Sequence, residues 1–198
     1  MMKWLATRWL KALGWTAVYK QPPTTHGIYL AYPHTSNWDF LYALLWKIST
    51  GAKVKWVAKE SLFVFPLGIF MRAFGGIGIS RKGGQDNVTA LCNTMLAQPE
   101  CWLAIAPEGT RSYRPYIKSG FYHIATTTNV PLGIGFIDYE RKEVGVREYR
   151  YVMPTIGEEL KQLARDYHTL HPYDAHKVCD LKLRNSLDDL SSGHNHRV

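Results

Sequence analysis

Short apolar runs alternate with helical periodicity along this chain, and no other feature constrains its fold as much. Runs at residues 28–31, 54–58, 77–80, 102–106 and 130–137 are short and rich in β-branched or aromatic side chains, so they read as buried strands. Between them, residues 37–48 place Phe40, Leu41, Leu44, Leu45 and Ile48 at helical spacing. Residues 86–97 do the same with Val88, Leu91, Met95 and Leu96. Residues 62–74 form a further apolar helix broken by Pro66, and residues 120–127 a short one. Residues 144–152 read as a late strand, and residues 158–170 and 174–190 as helices. This alternation predicts an α/β fold with a mostly parallel central sheet flanked by helices.

Residues 2–19 predict an amphipathic N-terminal helix. Lys3, Thr7, Arg8 and Lys11 share one face, while Met2, Leu5, Trp9, Ala12 and Leu13 share the other. Trp4 and Trp15 project near the cationic face, where an interfacial position suits them. The pattern fits a helix lying in a lipid headgroup layer, and it fits a helix packed on its own domain. The stiff Pro22-Pro23 step then divides the chain into a membrane-surface helix (1–21), one folded domain (22–190) and a polar, disordered tail (191–198). No apolar run reaches the roughly 18 residues of a membrane span, so contact with a membrane is expected to be peripheral.

The net charge of +8 favours a polyanionic partner: nucleic acid, an anionic membrane or a phosphorylated substrate. Seven Trp and twelve Tyr favour a lipid–water interface, and no nucleic-acid-binding motif is present, so nucleic acid is discounted. Cys92, Cys101 and Cys179 make no CxxC pair, and the histidines near the C-terminus match no ligand spacing. Neither a disulfide framework nor a metal site is expected, and a reducing compartment fits. No secretory signal is recognised.

Three segments carry chemistry, and each follows an expected strand. In Pro33-His34-Thr35-Ser36-Asn37-Trp38-Asp39, a loop leads into a helix, and Asp39 can fold back onto the His34 imidazole. The carboxylate would fix the tautomer while the other ring nitrogen takes a proton from a hydroxyl. The alternative is a helix cap beside an ordinary loop histidine. In Ala106-Pro107-Glu108-Gly109-Thr110-Arg111-Ser112, a Gly turn can offer backbone N–H groups and a guanidinium to a phosphate, with Lys118 close behind. The alternative is a surface turn with an internal Glu–Arg pair. In residues 74–82, Gly75, Gly76 and Gly78 let the backbone run close to a neighbour before Arg81; the segment is neither a dinucleotide fingerprint nor a Walker A loop. No GxSxG elbow exists for a lipase or thioesterase.

These blocks, with Val130-Pro131, stand in the order and spacing of the glycerophospholipid acyltransferases, the family of the 1-acylglycerol-3-phosphate acyltransferases, which the chain resembles from residue 34 to about 137. The resemblance implies that His34 is a general base and Asp39 its partner. It implies that Lys59, Arg81, Glu108, Gly109, Thr110 and Arg111 hold a phosphorylated headgroup. It also implies an acyl-CoA or acyl carrier protein thioester as co-substrate, with no cofactor. The acceptor would be a lysophospholipid such as 1-acyl-glycerol-3-phosphate, and the protein would sit on the cytoplasmic face of the cell membrane. Residues 62–74 would line the acyl channel or dip into the bilayer. Pro33 replaces a frequent Asn and the second proline of the Val-Pro block is missing, so a lyso-aminolipid, another lysophospholipid or a non-catalytic lipid-binding role stand as alternatives.

Overall fold

Leucine, isoleucine and valine on alternate strand positions force this chain to bury both faces of a sheet. The computed structural model describes residues 2–80 and 84–184. Its strands are β1 (Thr16–Val18), β2 (His26–Ala31), β3 (Val54–Lys59), β4 (Gly76–Ile79), β5 (Cys101–Ile105), β6 (Leu132–Asp138) and β7 (Glu143–Arg150). They form one sheet in the order β1-β7-β6-β2-β5-β3-β4. From β6 to β4 all neighbours are parallel; β7 runs antiparallel to β6, and β1 pairs parallel with β7. The expected mostly parallel α/β sheet is what the chain forms.

The helices are α1 (Met2–Ala12), α2 (Asn37–Thr50), α3 (Leu67–Ala73), α4 (Gly84–Leu96), α5 (Gly120–Thr128) and α6 (Ile156–Tyr167). Strand alternation sorts them. Ile28 and Leu30 of β2 and Leu103 of β5 face a core with Met95 of α4, Phe121 and Ile124 of α5 and Leu163 of α6. Tyr29 and Trp102 face the other way, into an aromatic core with Leu10 of α1, Trp15 and Trp46 of α2. Tyr29 stacks on Trp102 at 4.6 Å and meets Trp46 edge-on at 5.6 Å. Each fully buried aliphatic side chain contributes roughly 1.5–3 kcal/mol of transfer free energy.

Three expectations are corrected. The N-terminal helix stops at Ala12 instead of 19, because Gly14 turns left-handed (φ 77°) and β-branched Thr16 and Val18 join the sheet. Residues 16–18 therefore belong to the sheet, and Trp15 is buried rather than interfacial. The helix expected over 174–190 is, within the described residues, a single 3-10 turn at Ala175–Lys177. Beyond it the chain runs extended along the loop after β5: the Asp180 amide donates to the Arg114 carbonyl, the Ile117 amide to the Lys182 carbonyl, and Ile117 bridges Leu183. Leu181 and Leu183 alternate with polar neighbours there, a period of two that helical spacing cannot use. Residues 62–74 split at Pro66 into a 3-10 turn (Glu60–Phe63) and α3. The polar tail expected at 191–198 lies outside the described residues.

Candidate active site

A parallel sheet gathers whatever follows its strands at one edge. Here β2, β5 and β3 are neighbours, so the turn after β2, the loop after β5 and Lys59 at the end of β3 share that edge. β4 ends at Ile79 on the same edge; Arg81 lies outside the described residues.

The turn after β2 is built around one carboxylate. Ser36 caps α2, its hydroxyl accepting from the Trp38 amide, and Asp39 closes the capping box from the third helical position. Asp39 Oδ2 accepts from the Ser36 amide at 2.8 Å, the Thr35 amide at 2.8 Å and His34 Nδ1 at 3.0 Å. The cap and the imidazole partner, two rival readings of this carboxylate, are the same atom. Oδ1 accepts from the Tyr139 hydroxyl at 2.6 Å. Asp39 is only 4% exposed. Burial pushes its carboxyl up, but the hydrogen bonds from His34, Tyr139 and the Ser36 amide outweigh that and hold it below the usual carboxylate range. An ionised Asp39 makes Nδ1 the protonated ring nitrogen, which leaves Nε2 as an acceptor on a partly exposed ring.

Glu108, expected among the residues that hold the headgroup, faces the interior. It is 3% exposed, and its Oε1 accepts from the His34 amide at 2.7 Å. It sits behind the His34 turn and ties it to the loop after β5. Burial, reinforced by the Asp39 charge and opposed by the His34 amide, pushes its carboxyl up to about 8. At neutral pH it is mainly neutral, the cheaper form for a buried group.

Gly109 is left-handed (φ 61°), and Lys118 lies against it, with Nζ 3.2 Å from where a Cβ would stand. A side chain at 109 would be strained and would push that ammonium away. Thr110 Oγ1 accepts from the Ser112 amide at 3.3 Å. Arg111, Lys118 and Lys59 are exposed, and among the described residues none has a carboxylate partner, so the internal Glu–Arg pair of the alternative reading does not form. The glycines before Arg81 have a packing reason: a Cβ on Gly76 would strike the Met71 carbonyl, Trp56 and Phe63.

A cavity of about 170 Å³ lies between α2 and the sheet, lined by Tyr29, Phe40, Leu44, Trp46, Trp56 and Phe136, with His34 and Asp39 also on its wall. Residues 62–74, expected to line the acyl channel or dip into the bilayer, take no part in it. They leave Val64, Phe65, Leu67, Ile69 and Phe70 on the surface, with Phe65 83% exposed. Among the described residues no three His, Cys, Asp or Glu side chains converge as a metal site.

Strand-end reasoning thus brings together His34, Asp39, Lys59, Glu108, Gly109, Thr110 and Arg111. It misses Tyr139 and the cavity. Tyr139 stands just past β6, the other neighbour of β2, so the rule that picked out His34 would have found it once strand order was known.

The structure resembles the crystal structure of the 1-acyl-sn-glycerophosphate (LPA) acyltransferase PlsC from Thermotoga maritima, with TM-score 0.54 and 17% identity over 96% of this chain and 78% of that one. At that identity the likeness speaks for the fold. No curated protein matches the chain by sequence. The family model described as Acyltransferase matches residues 18–135, from β1 to within β6, a span that holds the His34 turn and the loop after β5. The chain belongs to the Acyltransferase family.

Proposed function

We propose that this acyltransferase moves a fatty acyl group from an acyl-CoA or acyl carrier protein thioester to a hydroxyl of a lysophospholipid-like acceptor, as in phospholipid biosynthesis. One observation carries the reading: an imidazole oriented by a buried carboxylate shares a sheet edge with exposed cations that have no carboxylate partner among the described residues. His34 Nε2 takes the proton of the acceptor hydroxyl as its oxygen bonds to the thioester carbonyl carbon. The tetrahedral adduct collapses, the C–S bond breaks, and the thiolate leaves with the proton from His34. Asp39 stays ionised throughout and stabilises the transient imidazolium. No serine is needed, because the acceptor supplies the nucleophile.

Arg111, Lys118, Lys59 and Arg81 would hold the acceptor phosphate, with Gly109 and Thr110 shaping the loop. The apolar cavity beside His34 suits the first carbons of the acyl chain. The proposal includes a peripheral membrane position on the cytoplasmic side, and the exposed apolar surface of the N-terminal helix supports the peripheral contact. α1 buries Ala6 and Leu10 against its own domain yet leaves Met2, Trp4, Leu5 and Trp9 exposed, as is Leu13 just after it. Arg8 stacks over Trp4 at 4.9 Å, a cation at the rim of that face. No helix among the described residues is long and apolar enough to cross a membrane.

The test supplies purified protein with acyl-CoA or acyl carrier protein thioester and a panel of lysolipids with and without a headgroup phosphate. Thiol release that requires a phosphate-bearing lysolipid supports the proposal. Transfer to a lyso-aminolipid lacking that phosphate would keep the chemistry and replace the acceptor. Thiol release without any acceptor would mean hydrolysis instead.

A further inference from the structure

We propose that Tyr139 is a positioning residue for the reaction: its hydroxyl holds the second oxygen of Asp39 so that the first faces His34. This rests on the proposed roles of His34 and Asp39. Oδ2 of Asp39 is fully engaged, by two backbone amides and the imidazole. The hydrogen bond given to Oδ1 comes from Tyr139, at 2.6 Å. Asp39 is buried, so an Oδ1 without that donor keeps its desolvation cost and gains freedom to rotate.

The tyrosine is held as firmly as the carboxylate. β6 ends at Asp138, whose Oδ1 accepts from the Glu140 and Arg141 amides and so fixes the turn that carries Tyr139. The Tyr139 amide donates to the His171 carbonyl at 2.9 Å. Its ring is gripped edge-on by Trp15 at 5.1 Å, Tyr42 at 5.9 Å and Tyr173 at 5.2 Å. Trp15 is stacked on Tyr42 at 3.9 Å, so the cage is itself rigid. Burial and the neighbouring Asp39 keep the phenol protonated well above its usual range, so it stays a donor. Among the described residues the side-chain hydrogen bond of Tyr139 goes to Asp39 and its ring contacts to Trp15, Tyr42 and Tyr173, none to His34, so it acts through Asp39.

Removing the hydroxyl has one consequence for pH. Asp39 loses a bond that favours its charged form, so it protonates at higher pH. That moves the acid limb of the rate profile upward.

Tyr139→Phe keeps the ring in its cage and is expected to lower kcat about 10-fold, the size of one lost buried hydrogen bond to a charge. KM for the acceptor should change less than about two-fold. The acid limb of kcat/KM should shift to higher pH, and in an Asp39→Asn background the same substitution should have no further effect. In the wild type, a low-field phenolic proton that moves on Asp39→Asn checks the contact even if Tyr139→Phe does not fold. Wild-type kcat and pH profile in Tyr139→Phe, with His34→Ala inactive, would overturn the proposal alone. So would an equal loss in both backgrounds, or the absence of that proton signal. An active His34→Ala would overturn the reading of the site and this proposal with it.

Discussion

The turn after β2 and the loop after β5 lie side by side on one sheet edge but are finished in opposite ways. Around Asp39 both carboxylate oxygens are engaged and the group is sealed from water. Around Gly109 the cations Arg111 and Lys118 are exposed, without a carboxylate partner among the described residues. A fully satisfied buried network costs little and fixes geometry, which suits a proton relay. Unpaired surface cations are poised for an anion that arrives from outside. Glu108 joins the two, rooted in the second region and accepting from the His34 amide of the first.

The sharpest way to break this contrast is Asp39→Asn. The amide cannot accept at both positions, so turnover should fall by about 10²-fold or more, and a lost buried contact should destabilise the protein by roughly 1–3 kcal/mol. Denaturant unfolding beside the kinetics checks both. A purely structural Asp39 would show the stability loss without a kinetic one in the folded fraction. Arg111→Ala probes the open region. It should raise KM for a phosphate-bearing acceptor about 10-fold while the unfolding midpoint stays put, and the wild-type KM should be the more salt-sensitive of the two. A fallen midpoint would place Arg111 in the fold instead.

Glu108→Gln tests the joint. Its folded pKa, about 8, lies above the ordinary 4.5, so the folded state keeps a proton that the unfolded chain has released. That contribution is complete below about pH 4.5 and is lost as pH rises to about 8. Glutamine still accepts from the His34 amide and cannot ionise. The unfolding midpoint of Glu108→Gln relative to wild type should therefore climb across that window, with activity near wild type at pH 7. A difference that stays flat with pH would contradict a mainly neutral Glu108. The smallest effect is expected at α1: Trp4→Ser with Trp9→Ser should weaken flotation with anionic vesicles and leave turnover of detergent-dispersed substrate unchanged, since both side chains are exposed.

Much of this was legible in the residues because strand ends collect at one edge. Apolar runs located β2, β3 and β5, and so placed His34, Lys59 and Glu108 together. Local periodicity does not contain strand order, which is why Tyr139, one hundred residues from Asp39 in sequence, went unseen. Nor does it reveal depth. Glu108 looks like a surface carboxylate until the extended segment at 178–183 is laid over the loop after β5, and helical spacing over 174–190 hid that segment. Around α1, helical periodicity grouped Met2, Leu5, Trp9 and Leu13, which are exposed, and left unmarked Ala6 and Leu10, the two residues that pack on the domain.

The central claim is that His34 is a base whose proton donor is the acceptor alcohol. Acceptor-dependent thiol release by wild type and His34→Ala, with unfolding midpoints measured on the same samples, tests it most directly. The expected result is release that requires the lysolipid and falls by at least about 10²-fold in the variant, at an unchanged midpoint. Equal release by the two proteins would contradict it.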